Sequence, residues 1–329
     1  MIDFNKLHDL IRTNQSFLIT THVNPDADAI GSEIAFNKLL KMVGKETIII
    51  NHSETPYNLR FLDSDNSIKK YDSTIHDNYF NTSDILVALD FNRADRMVSM
   101  QKVFNDSKLL KMCIDHHEDP GDFVNYYFVD SNYSATGHIL YDFIKSTGIV
   151  ELNKNIAAPL YAAIMTDTGS FRFERTTANL HRIIAELLDT GIDPTDIYNQ
   201  LYDESRFSKI QLLGKSLSSI RLIANNQIGY MTITQQDFRE FNALESDTEN
   251  FVNFILSIQG IKLGMLFIEL KNGFKVSFRS KGRLPVNKLA GIFGGGGHIN
   301  ASGARFRDVK MKNMIPKILD EAGNFINNY

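Results

Sequence analysis

Three short apolar runs in this chain stop at an acid or a histidine, and that repetition limits what it can fold into. Phe17-Leu-Ile-Thr20 runs into Thr21-His22-Val-Asn-Pro-Asp26-Ala-Asp28, Ile85-Leu-Val-Ala-Leu89 runs into Asp90, and Lys111-Met-Cys-Ile114 runs into Asp115-His116-His117. Each run is too short for an ordinary helix and is continuous rather than alternating, as expected of a strand covered on both faces. Thr47-Ile-Ile-Ile50 is a fourth such run and follows a helical segment, as in a βαβ unit. The ends of parallel strands share one edge, where open α/β sheets place their ligands. One polar strand end means little, but the recurrence of His and Asp, rather than Gly, Ser or Asn, points to a site.

The segments between the runs add ligand-type residues. Pro25 biases Asn24 away from helical geometry, so His22–Asp28 is a turn. The stretch after Asp28 has helical spacing (Ile30, Ile34, Leu39, Leu40, Val43) and stops at Gly44. Asp28 is the expected N-cap. Capping explains one acid but not His22, Asp26 and Asp28 at alternating positions. Residues 54–83 are polar and weakly patterned. Ser134-Ala-Thr-Gly-His138 opens an amphipathic helix, with Ser134 or Thr136 as cap and His138 read as a surface residue rather than a ligand. Pro159–Met165 is a buried helix that ends at Thr166-Asp167-Thr168-Gly169. Burying Asp167 calls for a partner, which is either a metal or a turn hydrogen bond.

Composition narrows the function. With 329 residues, 43% hydrophobic, the chain can build two domain cores, and a net charge of −4 argues against gripping long nucleic acid by bulk electrostatics. Cys113 is the only cysteine, so an intrachain disulfide and a Cys-based zinc site are excluded. Its strand position suggests a buried, inert thiol. The start, Met1-Ile-Asp-Phe-Asn-Lys, lacks a signal-peptide layout, and no apolar run reaches the ~20 residues needed to span a bilayer. A cytoplasmic protein without membrane attachment is expected.

The second half changes pattern. Gln227–Ile233, Leu263–Leu270 and Phe274–Phe278 read as strands, with Asn272-Gly273 turning the last pair into a hairpin, and helices are expected over 250–258 and 286–292. The hairpin leads to Arg279-Ser280-Lys-Gly-Arg283, and further on lies Phe293-Gly294-Gly295-Gly296-Gly297-His298. Four glycines in a row read either as a flexible connector or as backbone that can approach a phosphate closely; Arg279, Ser280 and His298 favour the phosphate, with Arg305 a weaker candidate. The expected fold class is α/β: a larger N-terminal domain (residues 1–187) with a mainly parallel sheet flanked by helices, a linker (188–207), and a smaller α/β domain (208–329).

His22, Asp26, Asp28, Asp90, His116 and Asp167 offer two imidazoles and four carboxylates, more than one ion needs. A pair of divalent ions bridged by Asp90 would use them all and leave positions for water and substrate. The mixed donors suit Mn²⁺ better than Mg²⁺ or Ca²⁺, with Mg²⁺, Co²⁺, Zn²⁺ and Fe²⁺ as alternatives. The reaction class is phosphoester hydrolysis. His117 is left over as a proton donor or as support, and Asp115 as a carboxylate that orients a ligand histidine.

These motifs resemble the DHH phosphoesterase family, in the branch with a C-terminal DHHA1 domain. The resemblance spans nearly the whole chain: His22-x-Asn-Pro-Asp26-x-Asp28-x-x-Gly31-Ser32, Asp90 with Arg96, Asp115-His116-His117, Thr166-Asp167-Thr168-Gly169, Arg279-Ser280, Gly294–His298 and Ala301-Ser302-Gly303. It implies a Mn²⁺-dependent hydrolase whose site lies in the cleft between the domains. His22, Asp26 and Asp90 would hold one ion, and Asp28, Asp90, His116 and Asp167 the other, with Asp90, Asp115 and His117 the catalytic set. Arg96, Arg279, Ser280, Gly294–Gly297 and His298 would bind substrate phosphate. The branch resembled most acts on short RNA oligonucleotides and on 3′-phosphoadenosine 5′-phosphate (pAp). Alternatives are the linear dinucleotide pApA, single-stranded DNA, polyphosphate, or a non-catalytic nucleotide-binding role. A homodimer is the assembly considered.

Overall fold

A six-stranded parallel sheet organises the first part of the chain. Its strands are β1 (Ser16–Thr20), β2 (Glu46–Asn51), β3 (Ile68–Lys70), β4 (Ile85–Leu89), β5 (Leu110–Asp115) and β6 (Tyr126–Val129), in spatial order β3-β2-β1-β4-β5-β6. Every neighbouring pair is parallel. The apolar runs are covered on both faces: Phe17, Ile19, Val87, Met112 and Ile114 join one core, and Leu18, Leu86, Ala88 and Cys113 the opposite one. Strand order reverses between β1 and β4, and an open α/β sheet of this kind parts at that reversal to leave a crevice beyond the carboxyl ends. The computed structural model describes residues 2–327.

The two strands not expected from the sequence, β3 and β6, are the sheet's edges. Ile68-Lys-Lys70 and Tyr126-Tyr-Phe-Val129 are only partly covered, so neither shows a continuous apolar run.

Three helices pack on the sheet face that Phe17, Ile19, Val87, Met112 and Ile114 form: Ala27–Met42, Thr136–Thr147 and Lys154–Asp167. Their close approach depends on small residues. A Cβ on Gly31 would stand 2.4 Å from the carbonyl oxygen of Pro159, and one on Gly137 would stand 2.7 Å from Cβ of Ala163. The first helix begins one residue before the expected cap. Asp26, not Asp28, is the N-cap and accepts the amides of Asp28 and Ala29. Asp28 is buried in the first turn and turned toward the second helix. Residues 188–207 include the helix Pro194–Tyr198 and a π-turn at Asn199–Asp203, with Ile192, Ile197 and Leu201 in the first unit's core.

The chain divides into two units, one ending at Glu204 and the other beginning at Ser205. The second holds a mixed sheet of β7 (Arg221–Ile223), β8 (Ile228–Ile233), β9 (Leu263–Leu270), β10 (Gly273–Ser280), β11 (Gly296–His298) and β12 (Ala301–Arg307), in order β11-β12-β10-β9-β8-β7. Only β8 and β9 run parallel. The expected β9–β10 hairpin and the helix Val286–Ile292 are present, and the helix expected over 250–258 spans Phe251–Leu256.

Part of the glycine run is regular structure. β11 lies on the edge of β12, and a Cβ on Gly295 or Gly297 would fall 2.1 Å from the Gly303 carbonyl oxygen or 2.6 Å from that of Ala301. Those two glycines let backbone lie on backbone, which a flexible connector would not require.

Candidate metal centre

The carboxyl ends of β1, β4 and β5 bring His22, Asp90 and Asp115-His116-His117 to the point where strand order reverses. The helix Ala27–Met42 delivers Asp26 and Asp28, and the helix Lys154–Asp167 delivers Asp167, to the same place. Asp90 turns sharply off β4, with φ of 65°, a left-handed conformation that Asp tolerates better than most residues, and its amide donates to the Ile114 carbonyl.

Nε2 of His116 is the hub. It stands 3.0 Å from Asp167 Oδ2, 3.5 Å from Asp28 Oδ2 and 3.6 Å from Asp90 Oδ1. Its Nδ1 faces the Tyr133 carbonyl oxygen at 3.3 Å, which directs Nε2 to the carboxylates. His22 Nε2 lies 3.5 Å from the other Asp90 oxygen, Oδ2, and 4.0 Å from Asp26. His22, Asp26 and Asp90 bring donor atoms within 4.8 Å of one another, and so do Asp28, His116 and Asp167, and Asp90, Asp115 and His117. Asp90 belongs to the first and the third, and its Oδ1 stands 3.6 Å from His116 Nε2 of the second.

Sequence reasoning missed what holds the acids still. The start of the helix Thr136–Thr147 grips Asp28 through the amides of Thr136 (2.7 Å) and Gly137 (2.9 Å), and the Thr136 hydroxyl donates to Asp90 Oδ1 at 2.9 Å. The Ser32 hydroxyl adds a bond to Asp28. Ser134-Ala-Thr-Gly reads in sequence as a helix start, and the chain's other carboxylates give no cue to this long-range role. Asp115 orients His117 rather than a ligand histidine: its Oδ1 takes Nδ1 of His117 and the backbone amide of His116. His138 lies apart from the cluster, against Tyr133, Ser134 and Asp142.

The electrostatics fit cation binding. Burial and the charges of Asp28, Asp26, Asp167 and Asp115 push the Asp90 carboxyl well above its ordinary range. Burial, then Asp167, raises Asp28 to about 6. Burial opposes the His116 cation, but the hydrogen bond and charge of Asp167, helped by Asp28 and Asp115, lift it to about 9. Burial lowers His22. Crowded, desolvated carboxylates beside imidazole nitrogens form a donor set that divalent cations satisfy. Asp26, Asp167 and His117 keep exposed side-chain surface while His22, Asp28, Asp90 and His116 are buried, so the centre opens on one side. Arg96 is exposed beside this opening; its carbonyl takes the Val23 amide, and its charge contributes to lowering His22.

The phosphate-binding candidates of the second unit also gather. Arg279 and His298 both pair in register with Ala301, from the two sides of β12. The Ser280 hydroxyl donates to the Leu284 carbonyl and accepts from Asn300, so it braces the loop that follows. Gly294 (φ 72°) ends the preceding helix, and Gly296 is exposed with open space where a side chain would stand. Arg305 sits toward the other end of β12, paired with Glu245 and lining a separate cavity of about 690 Å³.

Comparison with known proteins settles the kinship. The signature described as "DHH family, N-terminal domain" matches residues 16–164, and that of the "DHHA1 domain" matches residues 225–328. A Thermus thermophilus protein named bifunctional oligoribonuclease and PAP phosphatase NrnA is 32% identical over 92% of this chain and 87% of its own length. The chain belongs to the DHH phosphoesterase family. A Bacillus subtilis protein of the same name is 29% identical over 90% of this chain and 92% of its own. The crystal structure of an exopolyphosphatase-related protein from Bacteroides fragilis superposes with a TM-score of 0.90 at 30% identity, covering 98% of this chain and 95% of that one. DHH enzymes are metal-dependent phosphoester hydrolases, and the acid–histidine cluster of this chain could hold metal. No helix among the described residues is long and apolar enough to cross a membrane.

Proposed function

We propose that this DHH enzyme hydrolyses short oligoribonucleotides and 3′-phosphoadenosine 5′-phosphate, using two divalent ions, with Mn²⁺ the preferred metal. The observation that carries the reading is that two groups of ligand-type atoms, His22–Asp26–Asp90 and Asp28–His116–Asp167, lie side by side, with the two Asp90 oxygens 3.5 Å from His22 Nε2 of one and 3.6 Å from His116 Nε2 of the other. Names of relatives over nearly full length support the substrate class.

His22, Asp26 and Asp90 would hold one ion, and Asp28, Asp90, His116 and Asp167 the other. Such ions, when bound, neutralise phosphoryl oxygens and make a water acidic enough to attack near neutral pH. The chain's own groups do the rest. Asp115 fixes the ring of His117 through Nδ1, and His117 would carry a proton to the departing oxygen. Thr136 and the helix start beneath it prevent Asp28 and Asp90 from swinging away when substrate arrives. Arg96, Arg279, the glycine run and His298 are assigned to the substrate's phosphates.

The likeness to an exopolyphosphatase-related protein favours a second reading, hydrolysis of polyphosphate. One assay separates the two. Chelator-treated protein is supplied with Mn²⁺ and offered an RNA trimer, pAp, pApA, long single-stranded DNA and polyphosphate, beside Asp90→Ala. Turnover of the RNA trimer and pAp, abolished by Asp90→Ala, is expected. Faster turnover of polyphosphate or long DNA would replace the proposal.

A further inference from the structure

Glu33 belongs to no ligand group, yet it is fully buried in the helix Ala27–Met42, and its Oε1 has no hydrogen-bond partner among the described residues. A leucine at this position would avoid the cost of a desolvated acid. Burial, with a contribution from Asp63, holds its carboxyl well above the usual range despite the opposing bond from Asn51.

What Glu33 does is hold Asn51. Nδ2 of Asn51 donates to Glu33 Oε2 at 2.8 Å, and Oδ1 of Asn51 accepts the Thr21 amide at 3.2 Å. Thr21 in turn donates its hydroxyl to the Leu89 carbonyl at 2.8 Å. Thr21 immediately precedes His22, and Leu89 immediately precedes Asp90. The β1–β4 register ends at Thr20 opposite Ala88, so the two ligands lie just past the last paired residues. The Thr21–Leu89 bond continues the connection where the ladder stops.

We propose that Glu33, Asn51 and Thr21 form a positioning relay that fixes His22 against Asp90 and so sets the affinity of one ion of the pair. The relay rests on the two-ion reading above. None of its three side chains touches the ion. Asn51 and Thr21 act through the backbone beside a ligand, and Glu33 acts through Asn51.

The test is a Mn²⁺ titration of the full chain after chelator treatment, followed by calorimetry and electron paramagnetic resonance. Wild type should take up two ions. Glu33→Gln keeps an acceptor for Asn51 and should retain both at wild-type affinity. Glu33→Leu, Asn51→Ala and the near-isosteric Thr21→Val should each weaken one ion by ~10- to 100-fold and leave the other unchanged, the usual effect of losing an outer-shell partner. Thr21→Val alters one hydroxyl and remains informative if the larger changes impair folding. Two ions at wild-type affinity in Thr21→Val and Asn51→Ala would overturn the relay, and so would equal weakening of both ions. Fewer than two ions in wild type would instead refute the two-ion reading beneath it.

Discussion

Asp115 Oδ1 accepts Nδ1 of His117 at 2.7 Å, while Asp115 Oδ2, equally buried, has no hydrogen-bond partner among the described residues. Burial opposes the Asp115 charge, but His117 and, less strongly, His116 hold its carboxyl below the ordinary range. The carboxylate is therefore a fixed negative group behind a partly exposed imidazole. Asp115→Asn and His117→Ala should each lower kcat by ~10²-fold or more, the usual scale for losing a positioned proton donor. Both variants should still take up two Mn²⁺ ions. Steady-state kinetics beside metal titration would check this, and loss of an ion would move His117 into the ligand set.

Asp90 stands against both ligand histidines, and burial, with the charges of Asp28, Asp26, Asp167 and Asp115, raises its carboxyl well above the ordinary range. Asp90→Asn should abolish uptake of at least one ion and nearly all turnover. The same change removes repulsion, so the metal-free variant should melt above metal-free wild type. Thermal melts in chelator would show the sign.

The metal-free protein should lose stability as pH rises from 6.5 to 9. His116 titrates at about 9 in the folded chain against an ordinary 6.5, so in that window the native state holds a proton that the unfolded chain has released. At lower pH the effects oppose one another. Asp28, raised to about 6, costs stability as pH climbs from its ordinary value, while the lowered His22 adds stability up to 6.5. Bound ions displace these protons, so saturating Mn²⁺ should flatten the decline. Melting temperature against pH, with and without metal, tests both statements.

Gly31→Ala should destabilise the protein by about 1–3 kcal/mol, because its Cβ would meet the Pro159 carbonyl, a backbone atom that cannot turn aside. Spreading these helices separates Asp28 from Asp167, so metal affinity should fall with it. Denaturant unfolding and Mn²⁺ titration measure the two effects independently.

Arg279→Ala should raise KM more than it lowers kcat if Arg279 binds phosphate alike in ground and transition states. Comparable loss in kcat would assign it to the transition state instead.

The sequence showed the central strands and ligand residues because each strand is apolar on both faces and stops at a residue costly to bury. Edge strands β3 and β6 carried no such signal, since water covers part of each. β11 was hidden in the glycine run, where pairing needs absence of side chains rather than any particular side chain. The supports were hardest to see. Thr136 and Gly137 hold Asp28 from more than a hundred positions away, through backbone amides that any residue but proline possesses. Asp26 and Asp28 compete for one capping position, and only the direction of the incoming chain decides that Asp26 takes it.

Asp90 leaves its strand in a left-handed turn, and its partners come from segments that span His22 to Asp167. No short peptide from this chain contains both ligand groups, so an unfolded or half-made chain has nothing with which to chelate tightly. Metal capture should be a late event in folding, following completion of the sheet and docking of the three helices. If ions bind as proposed, they would act as rivets across the crevice, and the unfolding rate of the loaded protein should report how long they stay.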